Sequence, residues 1–393
     1  MAITGKDDGK RDGRIRLGMV GGGEGAFIGA VHRIASRIDD HYVFVAGALS
    51  STAEKAKRSG AALGLDPNRA YPDFETMARE EAKRPDGIEA VSIVTPNHMH
   101  APVARAFIAA GIHVICDKPL AFNLKEAKAL ERLLASKKRV IFALTHNYAG
   151  YPMVRQAKAM VAAGELGEIR LVQGEYPQDW LTTPLEKTGQ KQADWRTDPK
   201  RSGAGGCIGD IGTHAYNLAD FITSLDVHEL SAELTTFVKG RKLDDNTQIL
   251  LRYANGARGS LWASQVAIGN ENNLRIRVYG TKGGIAWSQE NPNYLQVSPI
   301  GKPTYTITRS GAGSGPEAGR VSRIPPGHPE GYLEGFANIY TEVAHAIHAA
   351  RKGKKADKAV TFPTVDDGVK GLAFIEAAVS SSQKNGKWTK VKA

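Results

Sequence analysis

Short apolar runs alternate with longer amphipathic stretches over the first 146 residues. The runs are rich in β-branched residues, as in strands that are buried on both faces of a sheet. They occupy residues 15–20, 42–48, 90–94, 113–116 and 140–144. The stretches between them have helical periodicity, at residues 29–38, 52–63, 74–83, 98–110 and 124–135. Strands that alternate with helices predict a doubly wound α/β domain around a parallel sheet.

The pattern changes after residue 146. A helix is predicted over residues 151–163. Apolar alternation then predicts successive strands, at residues 168–176, 229–238, 247–253, 259–266, 274–279 and 283–287. Asn255-Gly256, between two of these strands, is typical of a tight hairpin turn. The second half of the chain is therefore predicted as an α+β domain with a large, mostly antiparallel open sheet.

We expect three parts along the chain. Residues 1–13 are polar and predict a flexible tail. Residues 14–146 form the α/β domain, and residues 147–393 form the α+β domain. Two helices predicted at residues 336–351 and 365–383 end the chain, and we expect these last helices to pack back on the first domain.

A glycine-rich segment, GGGEGAFIGAVH, follows the first predicted strand directly and opens the first helix. Glycines in this setting are typical of a Rossmann dinucleotide site, where the helix N-terminus binds the pyrophosphate. Gly21 and Gly23 are expected to form the turn and admit the pyrophosphate. We also expect Phe27 and Ile28 to contact the cofactor. The spacing departs from a strict GxGxxG, so this loop is longer than usual.

The second predicted strand ends in Leu49-Ser50-Ser51-Thr52, without the carboxylate that usually binds the adenosine ribose. Ser50 and Ser51 are therefore the candidate partners of the ribose or of a 2′-phosphate, which Lys55 and Arg58 could also meet. Alternatively, Ser51 and Glu54 form a capping box. The residues leave NAD and NADP open as the cofactor, and we favour NAD.

Polar residues also follow the third and fourth predicted strands, where ligands of open α/β sheets bind. Thr95, Asn97 and His100 are candidate cofactor contacts, with a helix N-cap as the alternative for Asn97. His98 and His100 have no third ligand at metal spacing, so we expect no metal site. The fourth strand leads into Asp117-Lys118-Pro119, and the Lys118 cation could hold a substrate hydroxyl and stabilise a developing alkoxide.

The second half contains the run GGCIGDIGTH, residues 205–214. Asp210 and His214 are four residues apart, so in a helix they project from one face. An imidazole accepts a proton near neutral pH, because its unperturbed pKa is about 6.5. Lys118, Asp210 and His214 are therefore the candidate catalytic residues for transfer of a hydride from an alcohol.

These features together resemble the glucose–fructose oxidoreductase/inositol dehydrogenase (Gfo/Idh/MocA) family. Its hallmarks are an N-terminal dinucleotide fold, a Glu/Asp-Lys-Pro motif and a downstream GG-x3-D-x-G-x-H motif, and all three occur here in order. The resemblance implies that Lys118 holds the reacting hydroxyl, that His214 is the general base and that Asp210 orients it or shares its proton. It extends to Asn147-Tyr148 and Trp195-Arg196.

Further site residues follow from this resemblance. It implies cofactor contacts by Asp117, Lys118, Asn147, Trp195 and Arg196. Tyr148, Gln178 and Trp180 are candidate substrate contacts, because an aromatic ring stacks on a sugar face and an amide binds hydroxyls.

The resemblance implies a sugar, anhydrosugar or cyclitol as the substrate, oxidised at a secondary or anomeric hydroxyl. Two alternatives stay open. One is an NAD-dependent glycosidase that oxidises a sugar only transiently. The other is a dinucleotide-binding sensor without catalysis. A homodimer or homotetramer is also implied by the resemblance alone.

Composition narrows the function classes further. The net charge of +11 is dispersed, without a nucleic-acid-binding signature, so we expect no nucleic-acid partner. No apolar run reaches the roughly 18 residues of a membrane span, so no membrane association is expected. Two cysteines without a CxxC pair suit a reducing compartment. Together with the absence of an apolar leader, this predicts a cytoplasmic protein.

Overall fold

The computed structural model describes residues 13–393, which form two compact units. The first unit contains the chain up to Asn147 together with Tyr332–Val369. The second contains Tyr148–Gly331 together with Lys370–Ala393. The predicted flexible tail lies outside the described residues except for Gly13. Each unit is thus assembled from segments that are far apart in sequence.

A five-stranded parallel sheet forms the centre of the first unit. Its strands are β1 (Ile15–Gly21), β2 (Tyr42–Ala48), β3 (Ala90–Val94), β4 (His113–Cys116) and β5 (Phe142–Leu144). Their spatial order is β2-β1-β3-β4-β5. The chain thus adds β2 on one side of β1 and then crosses over to add β3 on the other side. The carboxyl ends of the strands beside such a crossover border the crevice where ligands bind. The predicted doubly wound α/β fold is confirmed.

Five helices connect these strands: α1 (Phe27–Ile38), α2 (Ala53–Ala62), α3 (Phe74–Glu81), α4 (His100–Ala109) and α5 (Leu124–Ser136). Asp73 caps α3 and Asn123 caps α5, each by accepting a hydrogen bond from a backbone N–H of the first turn. Thr52 occupies the N-cap of α2 and makes no side-chain bond. The capping box considered for Ser51 and Glu54 is therefore wrong.

A nine-stranded sheet forms the second unit. The strands are β6 (Ile169–Pro177), β7 (Val227–Thr235), β8 (Asn246–Tyr253), β9 (Arg258–Ser264), β10 (Arg275–Gly280), β11 (Gly283–Ser288), β12 (Tyr294–Pro299), β13 (Tyr305–Thr308) and β14 (Thr389–Lys390). They lie in the order β13-β12-β11-β10-β6-β9-β8-β7-β14. β6 and β9 are parallel and the other neighbours are antiparallel. The mostly antiparallel sheet and the Asn255-Gly256 hairpin were both predicted correctly.

One face of this sheet is covered by helices. The helices of the unit are α6 (Pro152–Ala162), α7 (Lys191–Arg196), α8 (Pro199–Ser202), α9 (Thr213–Thr223) and α10 (Pro316–Gly319). α6 and α9 contact the strands. Along β8, Ile249 and Leu251 are buried, whereas Leu250 between them is 57% exposed. This alternation separates a core face from a face that is open to solvent.

The Gly-, Ser- and Pro-rich segment after β13 is organised by Arg309, which is buried. Its guanidinium donates to the carbonyl oxygens of Ile324 and Pro325, and it pairs with Glu330 at 2.9 Å. Breaking such a buried pair costs about 3–5 kcal/mol, because it leaves a charge without compensation. Arg309 thus fixes the course of this loop.

The chain returns to the first unit as α11 (Tyr332–Arg351), and α12 (Val365–Ser382) begins there and continues into the second unit from Lys370. Phe336, Val343 and Ile347 of α11 join the apolar cluster formed by the strands and α1. Tyr42 Oη donates a 2.7 Å hydrogen bond to the carbonyl oxygen of Tyr340. An apolar side chain such as Phe336, Val343 or Ile347 stabilises the fold by about 1.5–3 kcal/mol when it is fully buried. α11 therefore completes the core of the first unit.

None of the helices within residues 13–393 combines the length and the apolar character that crossing a membrane requires.

Candidate active site

The turn after β1 is made by glycines in a conformation that other residues rarely adopt. Gly21 and Gly22 have φ values of 79° and 72°. A Cβ on Gly29 would overlap Gly22, so α1 begins directly against the turn. The Gly23 N–H donates to the carbonyl oxygen of Leu49 at the end of β2. The glycines thus bring the N-terminus of α1 to the carboxyl edge of the sheet.

The first turn of α1 is suited to an anion. Its N-cap residue, Ala26, makes no side-chain cap, and its first turn contains no acidic residue. The first N–H groups of a helix have no partner within it, and their dipoles favour negative charge. Phe27 and Ile28 are the first two residues of this helix, and the Phe27 side chain is 66% exposed.

The edge near the end of β2 contains a carboxylate that the sequence analysis did not assign. Glu24, in the lengthened glycine loop, accepts from the Nε and Nη2 atoms of Arg58 at 3.3 Å. Arg58 also donates to Glu54 at 3.1 Å. Glu24 and Arg58 line a groove of about 610 Å³ together with Phe27 and Arg33. Ser50 and Ser51 precede α2 at this edge.

The ends of β3 and β4 are tied together by His100. Its Nδ1 lies 2.6 Å from the carbonyl oxygen of Pro119, and its Nε2 lies 2.9 Å from that of Thr95. Both ring nitrogens are therefore engaged with backbone, and the ring is buried. His100 thus holds the Asp117-Lys118-Pro119 turn against the end of β3.

Asp117 stabilises the same turn from its own position. Its Oδ1 accepts a hydrogen bond from the Lys118 N–H at 2.9 Å and one from Thr145 Oγ1 at 3.1 Å. His146 follows Thr145 and is buried. Burial, and secondarily the Lys118 cation, lowers the pKa of His146 to about 3. His146 is therefore neutral at physiological pH. No sequence motif indicated this property.

Three buried polar atoms at these strand ends have no hydrogen-bond partner within residues 13–393. They are Thr95 Oγ1, His98 Nδ1 and Asn147 Nδ2. Buried polar atoms are nearly always paired, so unpaired ones indicate a ligand or water. Thr95 and Asn147 are also predicted cofactor contacts. The donors and acceptors of the first unit therefore fit a dinucleotide along this edge.

The second unit places His214 at the start of α9, directly after a π-helical turn, Ile208–Gly212. Asp210 lies within that turn, so the two residues occupy helical turns of different type. The His214 ring is 8% exposed and contacts the Tyr148 ring edge-on, with centroids 4.9 Å apart. The Tyr176 ring lies at 6.2 Å. Two aromatic rings thus fix the plane of the imidazole.

Asp210 is held by two side chains. Gln265 Nε2 donates to its Oδ2 at 2.9 Å, and Arg196 Nε lies 3.2 Å from the same oxygen. The Arg196 guanidinium also stacks over the Trp195 ring at 4.3 Å. Trp195 and Arg196, predicted as cofactor contacts, thus lie beside Asp210 within the second unit.

A neutral network of amides and hydroxyls lies behind the two tyrosines. Asn272 Oδ1 accepts from Tyr176 Oη at 2.7 Å and from Gln178 Nε2 at 2.6 Å. Its Nδ2 donates to Gln289 Oε1 at 3.2 Å. The Tyr148 and Tyr176 hydroxyls share a short hydrogen bond. The structure thus brings the predicted substrate contacts Tyr148 and Gln178 into one network, while Trp180 is half-buried nearby in sequence.

Sequence reasoning missed Asn272, Gln289 and Gln265. Each is an isolated amide in a strand end or loop, and no local motif marks it. Among the described residues there is no cluster of His, Cys, Asp or Glu that could hold a metal ion.

Family models identify this fold. The model of an oxidoreductase family with an NAD-binding Rossmann fold matches residues 15–146. The model of the GFO/IDH/MocA C-terminal domain matches residues 154–286.

The chain belongs to the GFO/IDH/MocA family. It is therefore an oxidoreductase with an NAD-binding domain, and the resemblance inferred from the glycine, Asp-Lys-Pro and GG-x3-D-x-G-x-H motifs is confirmed.

Individual members of the family are similar over most of the chain. The crystal structure of an oxidoreductase from Sinorhizobium meliloti is 57% identical, with a TM-score of 0.87, and covers 96% of this chain and 99% of that one. An inositol dehydrogenase homologue from Azotobacter vinelandii, complexed with NAD⁺, is 37% identical, with a TM-score of 0.92 over 96% and 97% of the two chains. Levoglucosan dehydrogenase from Pseudarthrobacter phenanthrenivorans is 29% identical over 72% of this chain and 76% of its own.

Proposed function

We propose that this oxidoreductase oxidises a secondary or anomeric hydroxyl of a neutral sugar, anhydrosugar or cyclitol with NAD. The observation that carries the proposal is the setting of His214: a histidine oriented by Tyr148 and Tyr176 beside a network of neutral amides and hydroxyls. The family relatives named for levoglucosan and inositol support the substrate class.

In this proposal the first unit holds the cofactor. Gly21, Gly23 and the N-terminus of α1 would receive the pyrophosphate, and Ser50 and Ser51 would face the adenosine ribose. Thr95 and Asn147 would contact the nicotinamide half through their unpaired buried atoms. When bound, the nicotinamide supplies the hydride acceptor.

Lys118 would hold the oxygen of the reacting hydroxyl and stabilise the negative charge that develops on it. Asp117 and His100 would position this lysine, because they fix the turn from both sides. The neutral state of His146 adds no further positive charge beside Lys118. This leaves a single cation from this turn to face the hydroxyl.

His214 would accept the hydroxyl proton as general base. A general base needs an imidazole ring held in a fixed plane, and the two tyrosine rings supply this constraint. It also needs a partner when the ring is protonated. Asp210 precedes His214 by four residues, and Gln265 and Arg196 hold its carboxylate by contacts with Oδ2. Asp210 would orient His214 or share its proton.

The lining beside His214 favours a neutral polyol over a phosphorylated or acidic sugar. Tyr148, Tyr176, Gln178, Asn272 and Gln289 carry no charge, and their amide and hydroxyl groups match sugar hydroxyls as donors and acceptors. Arg196, a nearby cation, is already paired with Asp210.

We also propose assembly into a homodimer or homotetramer through the solvent-facing side of the sheet. Leu171 on β6 and Leu250 on β8 are 48% and 57% exposed on that sheet. Light scattering coupled to size exclusion measures the mass directly. A monomer at micromolar concentration would contradict this proposal.

The decisive experiment is an assay of NADH formation with NAD, across monosaccharides, anhydrosugars, uronic acids, sugar phosphates and inositols. We expect activity with one class of neutral polyol. His214→Ala should lower kcat about 10²- to 10⁴-fold at neutral pH, as for a lost general base. Lys118→Ala should lower kcat while NAD affinity, measured by calorimetry, is retained.

His228→Ala and Lys125→Ala are the matched controls, since both residues are exposed and outside the proposed site. Normal turnover by His214→Ala would refute its role. Loss of NAD affinity in Lys118→Ala would make Lys118 a cofactor residue. NAD binding without turnover of any substrate would contradict the dehydrogenase and favour a transient-oxidation glycosidase or a sensor.

A further inference from the structure

The glycine turn before the π-helical turn is bound by one residue from a distant part of the chain. The Gly206 N–H donates to Asp244 Oδ1 at 2.6 Å, and the Ile208 N–H donates to Asp244 Oδ2 at 2.9 Å. The Cys207 N–H donates to the carbonyl oxygen of Asp244 at 2.8 Å. Three consecutive amides therefore converge on Asp244, which lies 38 residues after Gly206.

These amides are the ones that a helix leaves unpaired at its start. The Gly206 carbonyl oxygen already accepts from the Asp210 N–H, so Gly206 stands at the beginning of the helical segment. A carboxylate at this end is favoured by the helix dipole, and charge-assisted hydrogen bonds are about twice as strong as neutral ones. Asp244 thus acts as an N-cap supplied from outside the helix.

Gly206 has no room for a side chain because of this arrangement. A Cβ there would overlap the Asp244 carbonyl oxygen and would lie 2.8 Å from Leu243 Cβ. Glycine at position 206 therefore allows the backbone to lie close to Asp244. This explains a glycine of the GG-x3-D-x-G-x-H motif by contact within the protein.

The carboxylate is kept in an unfavourable environment. Asp244 is buried, and burial raises its pKa to about 6, against the effect of the backbone N–H donors. The neighbouring Asp245 carboxylate raises it further, while Arg241 pairs with Asp245 at 3.1 Å. The Cys207 thiol is also close to Asp244 and is itself buried.

Asp245, the residue after Asp244, is also connected to Asp210, through Gln265. The Asp245 carbonyl oxygen accepts from the Gln265 N–H at 2.8 Å, and Gln265 Nε2 donates to Asp210. Asp244 and Asp245 are therefore connected to both the backbone that carries Asp210 and its carboxylate.

We propose that Asp244 is a positioning residue that fixes the glycine turn and thereby sets the direction in which Asp210 and His214 face the substrate. The inference rests on the roles given to Asp210 and His214 in the proposed function, although the grip on residues 206–208 can be tested without substrate.

The test uses Asp244→Asn in the full chain. Asparagine keeps one acceptor but presents an N–H₂ group to the second amide, so one hydrogen bond is lost. Hydrogen exchange followed by mass spectrometry should become at least about tenfold faster in peptides containing residues 206–213 and remain unchanged elsewhere. With an identified substrate, kcat should fall roughly 10- to 100-fold, as for displaced catalytic groups, with KM and NAD affinity near the wild-type values.

The melting temperature separates positioning from a structural role. Asp244→Asn removes a buried charge as well as a hydrogen bond, so we expect a melting temperature close to that of the wild type. Asp226→Asn is the control, because Asp226 is exposed in the same unit and its substitution changes the charge equally. It should leave exchange, kcat and melting unchanged.

Gly206→Ala tests the same contact from the other side, since its methyl group must displace the turn without changing the charge. Unchanged exchange over residues 206–213 in Asp244→Asn would overturn the proposal. So would failure of both variants to fold while Asp226→Asn folds, because Asp244 would then be purely structural. Faster exchange without any dehydrogenase activity in the wild type would contradict the proposed function but support the grip of Asp244 on the turn.

Discussion

Gln265 donates a 2.9 Å hydrogen bond from its side-chain amide to Oδ2 of Asp210. Arg196 lies 3.2 Å from the same oxygen, so Gln265 and Arg196 both contribute to the orientation of the carboxylate. We predict that Gln265→Leu lowers kcat roughly tenfold, because a hydrogen bond from a neutral donor to a charged acceptor contributes about 1.5–3 kcal/mol. Steady-state kinetics and calorimetry with NAD measure the two effects separately, and NAD affinity should not change.

Gln383→Leu is the control for Gln265, because Gln383 is an exposed residue after α12 in the same unit. A Gln265→Leu enzyme with the wild-type kcat would show that Gln265 is not needed to orient Asp210.

Glu24 should affect the choice between NAD and NADP. It binds Arg58, a candidate partner of the 2′-phosphate of NADP that is also bound by Glu54. Both side chains are more than half exposed, so the pair itself is weak and a competing phosphate can replace it. We predict that Glu24→Gln improves NADP affinity relative to NAD by about tenfold, equal to about 1.4 kcal/mol. Calorimetric titration with both dinucleotides measures the ratio.

Glu80→Gln removes an exposed, ion-paired carboxylate elsewhere in the first unit and serves as the control. An affinity ratio that is the same in Glu24→Gln and in the wild type would exclude Glu24 from cofactor selection.

Asn272 should determine how well the substrate binds. It holds Tyr176 and Gln178 through one oxygen, so its removal takes this acceptor away from both side chains. We predict that Asn272→Ala raises KM for the polyol at least about tenfold, since an unpaired buried polar group costs about 1–3 kcal/mol. NAD affinity should be unaffected. The exposed Asn291, replaced by alanine, is the control, and an unchanged KM in Asn272→Ala would remove the network from the substrate site.

His113 should make the first unit less stable in acid. Burial lowers its pKa to about 4 from 6.5, and its Nδ1 accepts a hydrogen bond from the Ile141 N–H, which requires the neutral ring. Between pH 6.5 and 4 the unfolded chain therefore binds the proton and the folded chain does not. The contribution of His113 is present above pH 6.5 and is lost as the pH falls toward 4.

His113→Gln keeps an acceptor for Ile141 but does not titrate. The loss of stability from pH 7 to pH 5 should thus be smaller in the variant, by up to about 1.4 kcal/mol per pH unit. Urea unfolding followed by circular dichroism is the appropriate measurement, because the five tryptophans all lie in the second unit and do not report on the first. Equal pH dependence in both proteins would contradict the assignment.

The fold was predictable where local pattern and tertiary structure agree. β2, β3 and β4 occupy the predicted residues, because continuous apolar runs between helical stretches favour the strands of a parallel sheet. β12 and β13 were not recognised as separate strands. They lie toward the edge of the sheet, where Tyr294 and Tyr305 are half-exposed and the apolar alternation is weaker.

The site was predictable only in its local motifs. The proposed catalytic residues Lys118, Asp210 and His214 stand in short sequence patterns, whereas Asp244, Gln265 and Asn272 make contacts with residues far away in sequence. No local pattern encodes such contacts.

The interrupted first unit has a consequence for synthesis of the chain. Its sheet is translated early, but Phe336, Val343 and Ile347 of α11, which cover that sheet, leave the ribosome only after Tyr148–Gly331, the larger segment of the second unit, has been made. The apolar surface of the nascent sheet therefore stays exposed until α11 has been synthesised. A gene fragment that stops at residue 147 would produce a sheet lacking this cover, and an independent dinucleotide-binding fragment would need residues 332–369 joined to it.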